Sequence, residues 1–417
     1  MTGELRRGLG VFDAVVIGLG AMVGAGIFVA PGSAAGAAGS GLLIGLALAG
    51  GVAYCNAMSS ARLAAVHPAS GGTYVYARER LGDFWGYLAG WAFVVGKTAS
   101  CAAMALTVGA YAWPGREHAV AVAAVVALTA LNCTGVQKSA RVTRVVVAVV
   151  LGVLVAVAVV LLSSGAADPG RLAPGGDVTA GGVLQAAGLL FFAFAGYARI
   201  TTLGEEVRDP ARTIPRAVPL ALGIALVVYA GVVVALLSVL GAGALAQASA
   251  PLAEAVEAAG VPWPAPVVRV AAVLAALGSL LALLLGVSRT ALAMARDGRL
   301  PRTLAAVHPR HRVPHHAEIA VGAVAAVVAA TVDVRGAIGF SSFGVLVYYT
   351  LANASAWTLG SRLAVRITAG AGLAGCLALA FALPASSVLA GTGALAVGAV
   401  LYAVRARHTG TGRNDGP

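Results

Sequence analysis

Apolar positions along the chain come in long runs of about twenty residues, parted by short clusters of glycine, proline and charge. Each run is long enough to cross roughly 30 Å of hydrocarbon as a helix. The runs fall at roughly 10–37, 40–66, 84–113, 117–135, 142–164 and 181–203, and again at roughly 216–245, 265–292, 317–333, 337–358, 363–383 and 385–404. Ala69-Ser70-Gly71-Gly72, Asp168-Pro169-Gly170 and Val261-Pro262-Trp263-Pro264 mark boundaries between them. Little more than Pro384 parts the last two runs, which therefore read as a tight hairpin. The pattern predicts an all-α membrane protein of about twelve spans in one transmembrane domain over residues 1–417, with neither a soluble domain nor a long linker.

Composition hardens this reading. The 417 residues are 59% apolar and 11% charged, against roughly 25% charged in soluble domains. The mean hydropathy is +0.90. A net charge of +12 would suggest nucleic acid in a soluble protein, but here the position of each charge gives another explanation. With the N-terminus inside, 22 of the 28 Lys and Arg residues fall on the cytoplasmic side and four on the other. Lys97 and Arg199 lie within spans. So strong a bias predicts a multi-pass protein of the plasma (inner) membrane with both termini cytoplasmic, the lipid bilayer and not nucleic acid being its partner. The basic N-terminal stretch runs straight into a long span, which reads as no cleavable leader. Cys55, Cys101, Cys133 and Cys376 lie in or beside apolar runs and read as packing residues. No metal or cofactor is expected from this pattern, and the histidines between His308 and His316 read as a solvated basic loop facing anionic lipid.

Two spans are built to break. The first carries Gly18, Gly20, Gly24 and Gly26 at mid-depth, where each glycine costs a helix about 1 kcal/mol relative to alanine. Gly20 and Gly24, four apart, would suit a helix-packing face. The same glycines would equally suit an unwound segment whose backbone N–H groups face a cavity and accept a carboxylate. The sixth span runs Phe191-Phe192-Ala193-Phe194-Ala195-Gly196-Tyr197, carries Arg199, and ends in Glu205-Glu206-Val207-Arg208-Asp209-Pro210. Interrupted first and sixth spans are what two inverted five-helix halves predict, and they favour the unwound reading.

The segments GAMVGAGIF, HPASGGTYVYARERLG, FFAFAGYARITTLGEEVRDPARTIPRA and LAMARDGRLP occur in an order and spacing that resemble bacterial members of the amino acid–polyamine–organocation transporter superfamily, over about residues 8–360. The resemblance implies a leucine-transporter-type 5+5 inverted repeat, with core repeats over about 10–164 and 181–358 and additional helices over about 363–404. It also implies an amino acid permease rather than an enzyme. Carried over by position, it puts the substrate carboxylate at the backbone of Val23, Gly24, Ala25 and Gly26. The substrate amine would meet carbonyls of Ile17 or Gly20 and of Phe191, Phe194 and Ala195, beside Gly196. Phe194 and Tyr197 would wall or gate the site, and Ser100, Cys101 and Met104 of the third span would face it.

Two positions depart from the family pattern. The lysine that proton-coupled relatives carry in the fifth span is replaced by Val150, and an acidic position after the sixth-span break is Ala198. Lys97 is then the candidate for coupling, as an ionisable side chain at mid-depth, or else a structural lysine that snorkels. Arg199 reads as an inner-gate or helix-end charge, with Glu205 as its candidate partner. No carboxylate stands at mid-depth, so neutral amino acids fit better than lysine, arginine or polyamines. The sequence thus predicts a secondary carrier of neutral amino acids working by alternating access, with proton or sodium coupling, or exchange. An exporter, or a receptor or channel using the same pocket, stays open. The oligomeric state is not encoded in any pattern found.

Overall fold

Proline, glycine and capping side chains cut the apolar runs into helices in the computed structural model of the chain, which describes residues 9–67, 71–135, 140–201, 207–360 and 362–410. The first half comprises α1 (Val11–Met22), α2 (Ala25–Ala38), α3 (Leu42–Val66), α4 (Thr73–Leu81), α5 (Asp83–Ala112), α6 (Glu117–Cys133) and α7 (Ala140–Ser163). Then follow α8 (Ala180–Phe194), α9 (Ala198–Thr201), α10 (Pro210–Gln247), α11 (Pro251–Ala258), α12 (Ala265–Arg296), α13 (His315–Thr331), α14 (Val334–Trp357), α15 (Leu363–Ala382) and α16 (Ala385–Gly410). The described residues form no strand, only an isolated parallel bridge between Leu9 and Val207.

Local chemistry explains the boundaries. The Thr179 hydroxyl accepts the Gly182 N–H at 3.0 Å and starts α8, and Asp333 does the same for Gly336 at the head of α14. Gly82, at φ 104°, turns the chain between α4 and α5 where a side chain would be strained. Nine stretches of helix among the described residues are long and apolar enough to cross a membrane, and α1, α6 and α13 are shorter apolar helices. Most of these follow the apolar runs of the sequence to within a few residues, while the stretch Ala25–Val66 joins the second half of the first run to the second. Two helices were not foreseen: α4 and α11, which are too short to register as spans.

Helix α5 lies at the centre, packed on α12 and α14. The seam with α14 is tight because Gly96 and Gly344 face each other, a Cβ on Gly344 meeting the Gly96 Cα at 2.9 Å. Around it, α3 packs on α8 and α10, α6 on α13, and α7 on α10 and α12. The apolar window of α5 is 78% buried and that of α16 only 17%, so α16 is peripheral. Helix α15 is fastened to the body by a polar knot. Asn353 Nδ2 donates to Asn56 Oδ1 at 2.6 Å, and Cys376 Sγ donates to the same oxygen at 3.2 Å.

Candidate functional site

The first span breaks at Val23–Gly24. Helix α1 ends when the Val23 N–H closes onto the Leu19 carbonyl, and α2 restarts from Gly24 in an extended-like conformation (φ −100°, ψ −142°) with no side-chain cap. The first-turn N–H groups of α2 are therefore left to other partners, and they carry the positive end of the helix dipole. The sixth span is interrupted more gently, where α8 tightens into a 3₁₀ turn over Ala195–Tyr197 before the four-residue α9, its backbone staying in the helical region. The last carbonyls of α1 and α8 supply the negative end.

The two breaks face each other at backbone distance. A Cβ on Gly26 would stand 2.6 Å from the Ala193 Cα, and one on Gly196 would stand 2.2 Å from the Ala21 carbonyl oxygen. Only glycine allows this approach. A Cβ on Gly24 would stand 2.2 Å from Ser279 Oγ of α12. The glycines thus serve both sequence-level readings at once: they pack helices, and what they pack is the break itself.

Tyr229 of α10 joins the two spans. Its hydroxyl donates to the Met22 carbonyl at 2.7 Å and lies 3.2 Å from the Ala193 carbonyl. The Met22 carbonyl lies at the C-terminal end of α1 and the Ala193 carbonyl in the last turn of α8, so one side chain reaches both spans at their interruptions. Phe194 packs on the same ring at 5.2 Å. Tyr229→Phe leaves buried carbonyls short of a donor and is expected to lower stability by about 1–3 kcal/mol, read as a fall in Tm of the purified protein. An unchanged Tm would show that the hydroxyl is not what satisfies them.

Of the remaining expected residues, Val23, Ala25, Phe191, Ala195 and Tyr197 are buried at the breaks, with Ile17 half-buried one turn below. Met104 packs with Ala25, Val108 and Ala276. Ser100 points elsewhere, its hydroxyl lying 2.5 Å from Ser341 Oγ in the α5–α14 seam. Arg199 is exposed on α9 and Glu205 lies outside the described residues. Sequence reasoning missed Tyr229 and Ser279, single polar residues within apolar runs.

Lys97 and Glu318 are the buried ionisable acid and base groups among the described residues, 8% and 0% exposed. Lys97 and Cys101 share one face of α5, four residues apart. Glu318 is one turn inside α13, where Oε1 accepts from Ser288 Oγ at 2.9 Å. Sequence position placed Glu318 at a span edge, and packing by α12 takes it out of water. Among the described residues no group of three or more His, Cys, Asp or Glu side chains could hold a metal.

Both ends of the breaks are closed. At the α11 end, Tyr111 Oη donates to the Phe28 carbonyl at 2.9 Å and accepts the Leu252 N–H of α11 at 3.4 Å. At the opposite end, the Leu9–Val207 bridge straps the head of span 1 to the tail of span 6, and Asp13 pairs with Arg144 of α7 at 2.5 Å. Aromatic rings run from the break toward α4. Phe191 lies 5.8 Å from Tyr349, which lies 5.2 Å from Tyr197 and 5.1 Å from Tyr348, and Tyr348 Oη accepts the Thr73 N–H at 3.0 Å.

A family model described as amino acid permease matches residues 9–405. An uncharacterized transporter of Mycobacterium tuberculosis is 69% identical over 98% of this chain and 95% of its own length. The branched-chain amino acid permease BcaP of Bacillus subtilis is 29% identical over 84% of this chain and 80% of its own. The vacuolar cationic amino acid transporter 4 of Arabidopsis thaliana is 31% identical over 83% of this chain and 62% of its own. The chain therefore belongs to the amino acid permease family of the amino acid–polyamine–organocation superfamily, and is a multi-pass membrane transporter rather than an enzyme.

Proposed function

We propose that this protein is a secondary transporter of amino acids with neutral, apolar side chains, working by alternating access in the plasma membrane with both termini cytoplasmic. The observation that carries the proposal is the pair of facing breaks. The uncapped N-terminus of α2 suits the substrate carboxylate, and the carbonyl ends of α1 and α8 suit its ammonium group. Relatives handle branched-chain and cationic amino acids by name. Between these, the site favours the former. Its walls are Phe191, Phe194, Met104 and Ala25, and no described carboxylate stands at the breaks to balance a second positive charge.

A 5+5 repeat within twelve spans, forming a single domain, is part of the same proposal. Number the spans from α1–α2 through α3, α5, α6, α7, α8–α9, α10, α12, α13 and α14, and exchange each of the first five with its counterpart in the second. Much of the packing is then symmetric, which supports the repeat: α3 on α8 becomes α10 on α1–α2, α5 on α14 becomes α12 on α7, and α5 on α13 becomes α12 on α6, while α2 packs on both α5 and α12 without a matching pair for α8. Helices related by a repeat must pack this way, and α15 and α16 stand outside the exchange.

Closure at both ends supports alternation, because the inner latch is weak. Asp13 and Arg144 are 22% and 46% exposed, and a pair so placed is worth about 0.2–1 kcal/mol, little enough to break and remake in each cycle. Asp13→Arg or Arg144→Asp alone is expected to slow uptake about tenfold, and the two together to restore it, measured as initial rates in proteoliposomes. Wild-type rates in both single variants would remove this pair from the gate.

The proposal as a whole is tested with the purified full chain. Leucine, isoleucine, valine and other neutral amino acids should raise Tm, and one of them should drive counterflow in proteoliposomes, while lysine and arginine should do neither. Counterflow of lysine alone would overturn the substrate class; no shift and no flux with any amino acid would overturn the transport reading.

A further inference from the structure

A separate concavity lies away from the breaks, at the end of the bundle where arginines gather. Helix α4 and the last two turns of α12 line a half-open hollow of about 340 Å³. Three guanidinium groups line it: Arg78 from α4, and Arg289 and Arg296 from α12. Arg289 and Arg296 are seven residues apart, so they project from one face about 10 Å from each other along the axis. The acid in the lining is already spent. Asp297 accepts from Tyr74 Oη at 2.6 Å and pairs with Arg78 at 2.8 Å, and Arg78 also meets Glu79 at 3.6 Å. Neither Arg289 nor Arg296 forms an ion pair with a carboxylate of the described residues. The cavity therefore holds a surplus of about two positive charges in a concave wall.

We propose that this cavity is an anion site that takes a phosphate group, as the headgroup phosphodiester of an anionic lipid or as free phosphate. Guanidinium forks match phosphate oxygens in pairs, and three of them around one hollow provide more donors than a halide or a single carboxylate would use. The volume has room for a phosphate with its glycerol. Basic hollows between helix ends on the cytoplasmic side face the anionic leaflet, where each Lys or Arg contributes to attraction. Binding here would brace α4 against α12. Helix α4 also touches α14 through Thr73 and Tyr348, so the brace reaches the aromatic run that leads to Tyr197. The binding site stands whichever amino acid is carried.

The test uses detergent-purified full chain titrated with short-chain phosphatidylglycerol, short-chain phosphatidylcholine or inorganic phosphate, followed by Tm and by native mass spectrometry. Phosphatidylglycerol is expected to bind and raise Tm where phosphatidylcholine does not, the effect weakening as sodium chloride rises. Arg289→Gln with Arg296→Gln should weaken that binding by at least about tenfold. Should inorganic phosphate match phosphatidylglycerol, the site is confirmed and its source is the free ion. Equal shifts from phosphatidylglycerol and phosphatidylcholine that ignore salt in the wild-type chain would overturn the proposal without any variant. So would undiminished binding in a folded double variant.

Discussion

Gly26→Val is expected to abolish uptake, lowering it at least a hundredfold, while Gly152→Val leaves it near the wild-type rate. Both glycines sit in membrane helices, so the comparison cancels the general cost of adding a branched side chain. At Gly26 the new Cβ would lie 2.6 Å from the Ala193 Cα, a backbone atom of the opposing broken span that cannot swing aside. At Gly152 nothing stands within 4 Å and the residue is exposed on α7. Gly24→Ala separates packing from substrate contact. Its collision is with Ser279 Oγ at 2.2 Å, a side chain that Ser279→Gly removes. Recovery of uptake in Gly24→Ala/Ser279→Gly would assign Gly24 to helix approach alone. Continued loss, with the double variant folded and monodisperse, would assign it to the substrate. Near-normal uptake by Gly26→Val would show that the breaks need not touch.

Lys97→Met is expected to remove uptake driven by a proton gradient, by at least about tenfold, while counterflow of the same amino acid persists. Lys97 is 8% exposed on the central helix, and no described carboxylate pairs with it. A buried cation without a counter-ion costs the folded state energy, so a lysine kept only for structure should be hard to explain there. Methionine has similar length and no charge, and the variant should therefore melt at a higher temperature than the wild type. A lower Tm with unchanged pH dependence would make Lys97 a structural residue. Glu318→Gln provides the companion measurement, since Lys97 and Glu318 are the two buried charged side chains: loss of proton drive in both variants would place them on one route.

The sequence carried the spans and the place of both breaks because each rests on a local property. Twenty apolar residues in a row need no partner to be recognised. The glycines around Gly24 and the run from Phe191 to Tyr197 flag backbone that a helix would not choose. What it could not carry rests on distant pairs. Tyr229 meets Met22 across 207 residues and Ser279 approaches Gly20 across 259, and a lone hydroxyl in an apolar run gives no sign of the carbonyl it will meet. Ser100 shows the converse. A polar residue at the right depth was read as facing the site, but the fit of Gly96 against Gly344 fixes the rotation of α5 and turns that hydroxyl to Ser341. Helices α4 and α11 were hidden for a third reason: nine and eight residues of mixed polarity resemble a loop until neighbouring helices give them a surface.

The Tyr229 hydroxyl has one hydrogen and two carbonyls within reach. It can satisfy one fully or both poorly, so the hydroxyl by itself cannot serve both carbonyls well. An ammonium group brings three donors to the same place. On the transport reading, the cargo would then complete a valence that the polypeptide leaves open, and release would hand the debt back to a single phenol. A molecule with a carboxylate but no amine, however well its side chain fitted, would leave that shortfall untouched. Discrimination against keto acids and hydroxy acids would thus be written into the count of hydrogens on one tyrosine.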